Sequence, residues 1–236
     1  LTVKSERPVV VTGAMRPPTA VGTDADLNLL DAIRLAACPD AAGRGVLTVL
    51  NNEIQSARDV TKTNTFRVET FTSRELGFLG YVDSDGQVVF YRNVTRLHTT
   101  ATPFDMRGRE TLPRVDIVYA YGGADGVQID AVRQHGTDGL VLAGFGGGSY
   151  PGAFLDAGKR AVQAGIPVVL ATRSTAGRVI MTPQKAAAGF IVSDDLLPQK
   201  ARILLMLALS MTRDRQTIQE LFYQYWPHAG RRFQAR

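Results

Sequence analysis

Val115-Asp116-Ile117-Val118-Tyr119-Ala120, then Gly139-Leu140-Val141-Leu142-Ala143, then Pro167-Val168-Val169-Leu170-Ala171: these three runs decide the fold. Each is short, mostly apolar and bounded by glycine, proline or polar residues, the signature of a strand buried on both faces. Between them, Gly126–His135 and Phe154–Ala164 read as helices, the second with Pro151 near its first turn, where a missing N–H costs nothing. Strands alternating with helices imply a parallel sheet covered on both sides.

The same alternation extends outward. Pro8–Thr12 is an apolar run closed by Gly13 and reads as a buried strand. Asp24 or Asp26 is placed to cap a helix through Ala37, with Leu27, Leu30, Ile33 and Ala37 at helical spacing. Val46–Leu50 is a further strand, and Phe78–Tyr91, split by Asp83-Ser84-Asp85-Gly86, is a hairpin. From 93 to 112 the periodicity fades and Thr, Pro and Arg accumulate, which marks a linker. At the other end, Pro198–Thr212 forms a long helix with Ile203, Leu207 and Met211 along one stripe and Leu204 and Leu205 beside it; Gln216–Tyr225 is the last helix. The expected fold class is α/β, with two parallel-sheet domains joined by a linker.

Bulk composition fits a globular chain. The 236 residues are long enough to bury a substantial core, and 44% hydrophobic with 21% charged residues is ordinary. The net charge of +5 raises the question of nucleic acid. However, the basic residues are scattered, apart from Arg231-Arg232 and Arg236, and no stripe interleaves them with aromatics. This scatter fits a solvated basic surface. No apolar stretch is long enough for a membrane span. A lone cysteine, Cys38, excludes a disulfide within this sequence and does not fix the compartment. His98, His135 and His228 lie far apart, and no His or Cys pairing suggests zinc.

Chemistry concentrates in Arg58-Asp59-Val60-Thr61-Lys62-Thr63-Asn64-Thr65. A solvated loop explains this composition. The functional reading is that Lys62 turns inward among hydroxyls and a carboxylate, where desolvation lowers its pKa and lets it relay a proton at neutral pH. Gly144-Phe145-Gly146-Gly147-Gly148-Ser149 is the second conspicuous run, set between a strand and a helix. Ser149 stands where a dinucleotide fingerprint needs its last glycine, and no Lys-Ser/Thr pair makes a P-loop. A tight strand-to-helix turn is the plain alternative.

Four words occur in order and with consistent spacing: Val-Thr-Gly-Ala-Met-Arg-Pro (11–17), Arg-Asp-Val-Thr-Lys-Thr-Asn-Thr (58–65), Thr-Pro-Phe-Asp (102–105) and Pro-Gln-Lys-Ala-Arg (198–202). Together they resemble the asparaginase/glutaminase amidohydrolase family, most closely its secreted bacterial L-asparaginases, from about Lys4 to Tyr225. The resemblance implies hydrolysis of the side-chain amide of L-asparagine through a threonine acyl-enzyme. Lys62 would serve the proton relay, and the backbone around Ala14 would line the substrate pocket. It implies a small-molecule substrate, no metal or organic cofactor, no nucleic-acid or membrane partner, and a homotetramer with sites shared between subunits. A periplasmic or secreted location is expected. The family's Thr-Gly-Gly-Thr-Ile and Thr-Asp-Thr motifs are not in this sequence; Thr12-Gly13 belongs to the Gly-Ala-Met-Arg-Pro word instead. Residues 1–92 then read as the remainder of a larger, N-terminally incomplete domain, 93–112 as linker, 113–225 as a smaller α/β domain and 226–236 as a basic tail.

The glycine run also resembles the family loop that reaches a neighbouring subunit's pocket. Many relatives carry Asn or Ser where Gly147 aligns, and no Glu lies between Ser174 and Ser193 to match the family's C-terminal glutamate. Broader glutaminase-asparaginase specificity, or a silent structural module, are the rival expectations.

Overall fold

The computed structural model describes residues 1–224. The expected tail 226–236, His228 and the end of the last helix at Tyr225 lie outside them. The chain divides into two compact units, Leu1–Met106 and Arg107 onward.

In the first unit, β1 (Val9–Val11) leads into α1 (Ala25–Ala37), and β2 (Val46–Leu50) turns into β3 (Glu53–Ser56). A short ribbon follows, β4 (Thr61–Lys62) with β5 (Phe71–Thr72), and then the hairpin β6 (Gly80–Val82) and β7 (Val88–Phe90). The main sheet runs β1-β2-β3-β6-β7. Only its β1–β2 pair is parallel, with Val9 opposite Val46; the other pairs are antiparallel. The parallel pairing comes from the α1 crossover. Antiparallel pairing follows where tight turns replace helices: Asn51 and Asn52 both take positive φ (51° and 64°), as a two-residue hairpin loop requires.

Here α1 departs from the expected facing. Leu27, Leu30 and Ile33, the spaced apolar residues, are exposed, whereas Asn28, Asp31, Ala32 and Leu35 are buried. Leu35 and Ala32 join Leu47, Val49, Ile54, Leu79 and Val82 in the core. The polar members of the buried face are bonded: Asp31 accepts from Arg34 (3.3 Å) and from Asn52 Nδ2 (3.0 Å). Burial raises the Asp31 pKa, and those two donors offset part of the rise.

The second unit matches the opening expectation closely. β8 (Val115–Tyr119), β9 (Gly139–Gly144), β10 (Val168–Thr172) and β11 (Ile191–Val192) form a sheet ordered β11-β10-β9-β8, parallel throughout. α2 (Val127–Gln134) and α3 (Gly152–Gln163) cover one face. There Ile129, Phe154, Ala157 and Ala161 pack with Leu140, Leu142, Val168 and Leu170. The approach is close enough to demand glycine: a Cβ at Gly158 would lie 2.9 Å from Leu142 Cδ1. After the short α4 (Pro183–Ala187), α5 (Pro198–Leu209) covers the other face, and α6 (Arg215–Gln224) packs on α5 and β11. On α5 Leu204, Leu205, Leu207, Ala208 and Leu209 are buried, while Ile203 and Met211 of the expected stripe are exposed. Two of the four quoted words are scaffold. Thr102 is buried and receives Lys4 Nζ at its hydroxyl (2.9 Å), and Pro198 opens α5, whose Arg202 reaches the Val115 carbonyl (2.7 Å).

Candidate active site

The C-terminal end of a parallel strand, where the chain leaves the sheet for a helix, is where α/β folds present backbone to ligands. β1 ends so, and the word Gly13-Ala14-Met15-Arg16 is the loop that follows it. Ala14, expected to line a pocket, is exposed in this loop. The loop itself is tightly held. Asp24 stands at the N-cap position of α1 but makes no capping bond; its carboxylate turns back to accept Met15 N (2.9 Å) and Arg16 N (2.9 Å). Asn28, 1% exposed, donates to Gly13 O (2.9 Å) and Asp24 Oδ2 (3.0 Å) while its Oδ1 accepts Asn51 N (2.9 Å). Thr12 adds a bond from its hydroxyl to Val49 O (2.7 Å). One buried amide thus joins the loop, the helix and the β2–β3 turn.

Burial alone would raise the Asp24 pKa, but the Met15 and Arg16 amides and Asn28 outweigh it, and the net shift is downward. A carboxylate depressed in the folded state contributes stability above its ordinary pKa, near pH 4, and loses it as pH falls through the lower folded value. Asp24→Ala is therefore expected to melt lower than the parent protein at neutral pH, by about 1–2 kcal/mol for the orphaned amides. The gap should close in acid, as the parent's own carboxylate protonates. A gap that persisted unchanged down to pH 2 would remove Asp24 from this role.

Lys62 occupies β4, opposite Phe71. The inward-facing position expected for it is not the one found: its side chain is exposed, with the ammonium 5.9 Å from the Phe71 ring centroid. The reason is local. The two-residue strand belongs to a separate ribbon, and the neighbouring hydroxyls bond to backbone carbonyls beside it. Thr63 Oγ1 donates to Thr70 O (2.9 Å), and Thr70 Oγ1 donates to Asn64 O (2.7 Å). Asp59, the nearest carboxylate in sequence, pairs with Arg58 at 2.8 Å.

What fixes Lys62 in place is a residue sequence reasoning missed. Gln55 is 1% exposed and binds Phe71 O through Nε2 (3.1 Å) and Ser73 N through Oε1 (3.0 Å), tying the ribbon to β3. Nothing in a lone Gln within the polar-looking Glu-Ile-Gln-Ser signals this. Lys62 and Ala14 belong to the same unit, but separate sets of bonds hold them: the ribbon to β3, the loop to α1 and the β2–β3 turn. Among the described residues no cluster of three or more His, Cys, Asp or Glu is arranged to hold a metal, and no helix is long and apolar enough to cross a membrane.

This architecture, an α-covered mixed sheet followed by a doubly covered parallel sheet, is that of a known two-domain class. Residues 1–96 match the model for the asparaginase N-terminal domain, and residues 114–222 match that for the glutaminase/asparaginase C-terminal domain. The chain is 44% identical over 225 residues to L-asparaginase 2 of Bacillus subtilis, covering 95% of this chain and 60% of that protein. It is 36% identical over 228 residues to a glutaminase-asparaginase of Pseudomonas fluorescens, covering 95% and 62%. A crystal structure described as a probable cytoplasmic L-asparaginase from Campylobacter jejuni superposes with a TM-score of 0.93 at 45% identity, covering 95% of this chain and 74% of that one. The chain belongs to the asparaginase/glutaminase family. It spans less than two thirds of the length of the curated relatives just named.

Proposed function

We propose that the complete protein hydrolyses the side-chain amide of L-asparagine to L-aspartate and ammonia. The observation that carries this reading is the identity of 44–45% to proteins named L-asparaginase, spread over 95% of the chain. The reaction would run by attack of a threonine hydroxyl on the amide carbonyl, loss of ammonia from the tetrahedral adduct, and attack of water on the resulting ester. The family's threonine motifs are not among these residues, so their part is to supply the relay and a portion of the pocket. Lys62 would move the proton that makes a hydroxyl a competent nucleophile. The backbone of Ala14, its loop pinned by Asp24 and Asn28, would form a wall of the substrate pocket. A homotetramer with shared sites, and a periplasmic or secreted location, complete the proposal; the Campylobacter jejuni relative is described as cytoplasmic.

One observation favours a second reading. Gly147 is exposed and nothing lies within 4 Å of where its Cβ would stand, so this position, where many relatives carry Asn or Ser, offers no side chain with which to distinguish asparagine from glutamine. Broader glutaminase-asparaginase activity would follow. The test is turnover of both amides with hydroxylamine present, which intercepts an acyl-enzyme as the hydroxamate. Hydroxamate formed from asparagine supports the covalent route. Ammonia release with no hydroxamate at any hydroxylamine concentration would favour direct attack by water. The ratio of kcat/KM for the two amides decides between the narrow and the broad reading.

A further inference from the structure

The glycine loop has one tether that the reaction as proposed does not use. The segment Phe145–Ser149 closes on itself, with Phe145 N donating to Ser149 O (2.9 Å) and Gly148 N to Phe145 O (3.0 Å). Gly146 and Gly147 at its tip are exposed. Gly146 and Gly148 take positive φ (44° and 95°), a backbone conformation that glycine adopts without steric cost. Lys185, from α4, adds a side-chain tether at the tip. Its ammonium donates to Gly147 O (3.1 Å) and to Ile180 O (2.9 Å), joining the loop after β9 to the loop after β10.

The anchoring of Lys185 is itself built. Its backbone N donates to Thr182 Oγ1, the cap of α4 (3.3 Å), so the helix start and the ammonium are set by the same residue. Ile180 follows Val179, which is buried and bonded to Asp194 O (2.9 Å), so the second carbonyl is fixed to the sheet. The fit is close: a Cβ at Gly148 would lie 3.2 Å from Lys185 Nζ and 2.8 Å from Val179 Cγ1. Burial lowers the Lys185 pKa, as expected of a half-buried ammonium. Bonds from a charged donor are about twice as strong as neutral ones.

We propose that Lys185 is the positioning residue of the Phe145–Ser149 loop, fixing the carbonyl of Gly147 and thereby how the loop tip meets substrate. This rests on the reading that the loop forms part of the substrate site. Substrate selection at this loop then depends on a cation supplied from α4, since Gly147 has no side chain to contribute.

The test uses the complete protein, with kcat and KM for asparagine and glutamine measured alongside thermal melting. Lys185→Met is expected to raise KM for asparagine about tenfold with kcat within about threefold, and Lys185→Arg to recover most of the loss. Should Lys185→Met fail to fold, Lys185→Gln, which keeps a donor amide, carries the same comparison. Gly147→Ala, which the open space around Gly147 admits, serves as the control. An unchanged KM in Lys185→Met beside an altered KM in Gly147→Ala overturns the role of Lys185 but leaves the loop in the substrate site. Unchanged KM in both overturns the loop reading and the proposal with it, while asparagine turnover by the parent protein still stands.

Discussion

Lys62→Met in the complete protein is expected to lower kcat for asparagine by about a thousandfold, with little change in KM. General acid–base catalysis by a positioned side chain contributes about 10²–10⁴ in rate, and methionine keeps the length of the lysine stem without any proton to move. Lys62 is exposed, with its ammonium 5.9 Å from the Phe71 ring centroid, so its removal costs the fold little, within about 0.5 kcal/mol for a surface substitution. Activity and stability therefore separate cleanly. A melting temperature unchanged beside a collapsed kcat would assign Lys62 to chemistry. Activity retained within a few-fold would remove it from the relay, and the resemblance of the Val-Thr-Lys-Thr word would then be one of scaffold alone.

The second large effect is structural. Asn28→Ala is expected to destabilise the protein by about 3 kcal/mol, read as a lowered denaturant midpoint at constant slope. The side chain is 1% exposed and makes bonds of 2.9–3.0 Å to three segments. Its loss leaves Gly13 O and Asn51 N without their side-chain partner and frees Asp24, which holds the Ala14 loop. KM should rise with the loss of stability, because the loop proposed as the pocket wall loses its anchor. A destabilisation under about 1 kcal/mol would mean that water or backbone replaces those bonds readily.

The parallel sheet of the second unit was legible because its strands are apolar on both faces, and glycine and proline mark their ends. Val115–Ala120, Gly139–Ala143 and Pro167–Ala171 each fall within a residue of an observed strand. The facing of α1 was not legible. Periodicity at Leu27, Leu30 and Ile33 identifies a helix, but a stripe that meets the core and one left exposed have the same period. The buried side of that helix is marked instead by Asn28 and Asp31, which composition alone assigns to the surface. β11 and α4 were too short to carry a period, so Lys185 passed unnoticed among Ala186, Ala187 and Ala188.

The site was legible unevenly for the same reason. Lys62 and Ala14 stand in recognisable words, and the roles proposed for them rest on those words; the residues that fix them, Gln55, Asp24 and Asn28, act through backbone groups that no spacing encodes. Lys62 is exposed on the β4–β5 ribbon, which forms its own two-stranded sheet, and the spacing of a two-residue strand carries no signal of that facing.

The most direct test of the central claim is ammonia released from L-asparagine by the complete, folded protein, followed together with the aspartate formed. Equal amounts of the two products, with turnover lost in Lys62→Met, are what the proposed chemistry predicts. No ammonia from asparagine, from a protein whose melting curve shows it folded, would contradict it.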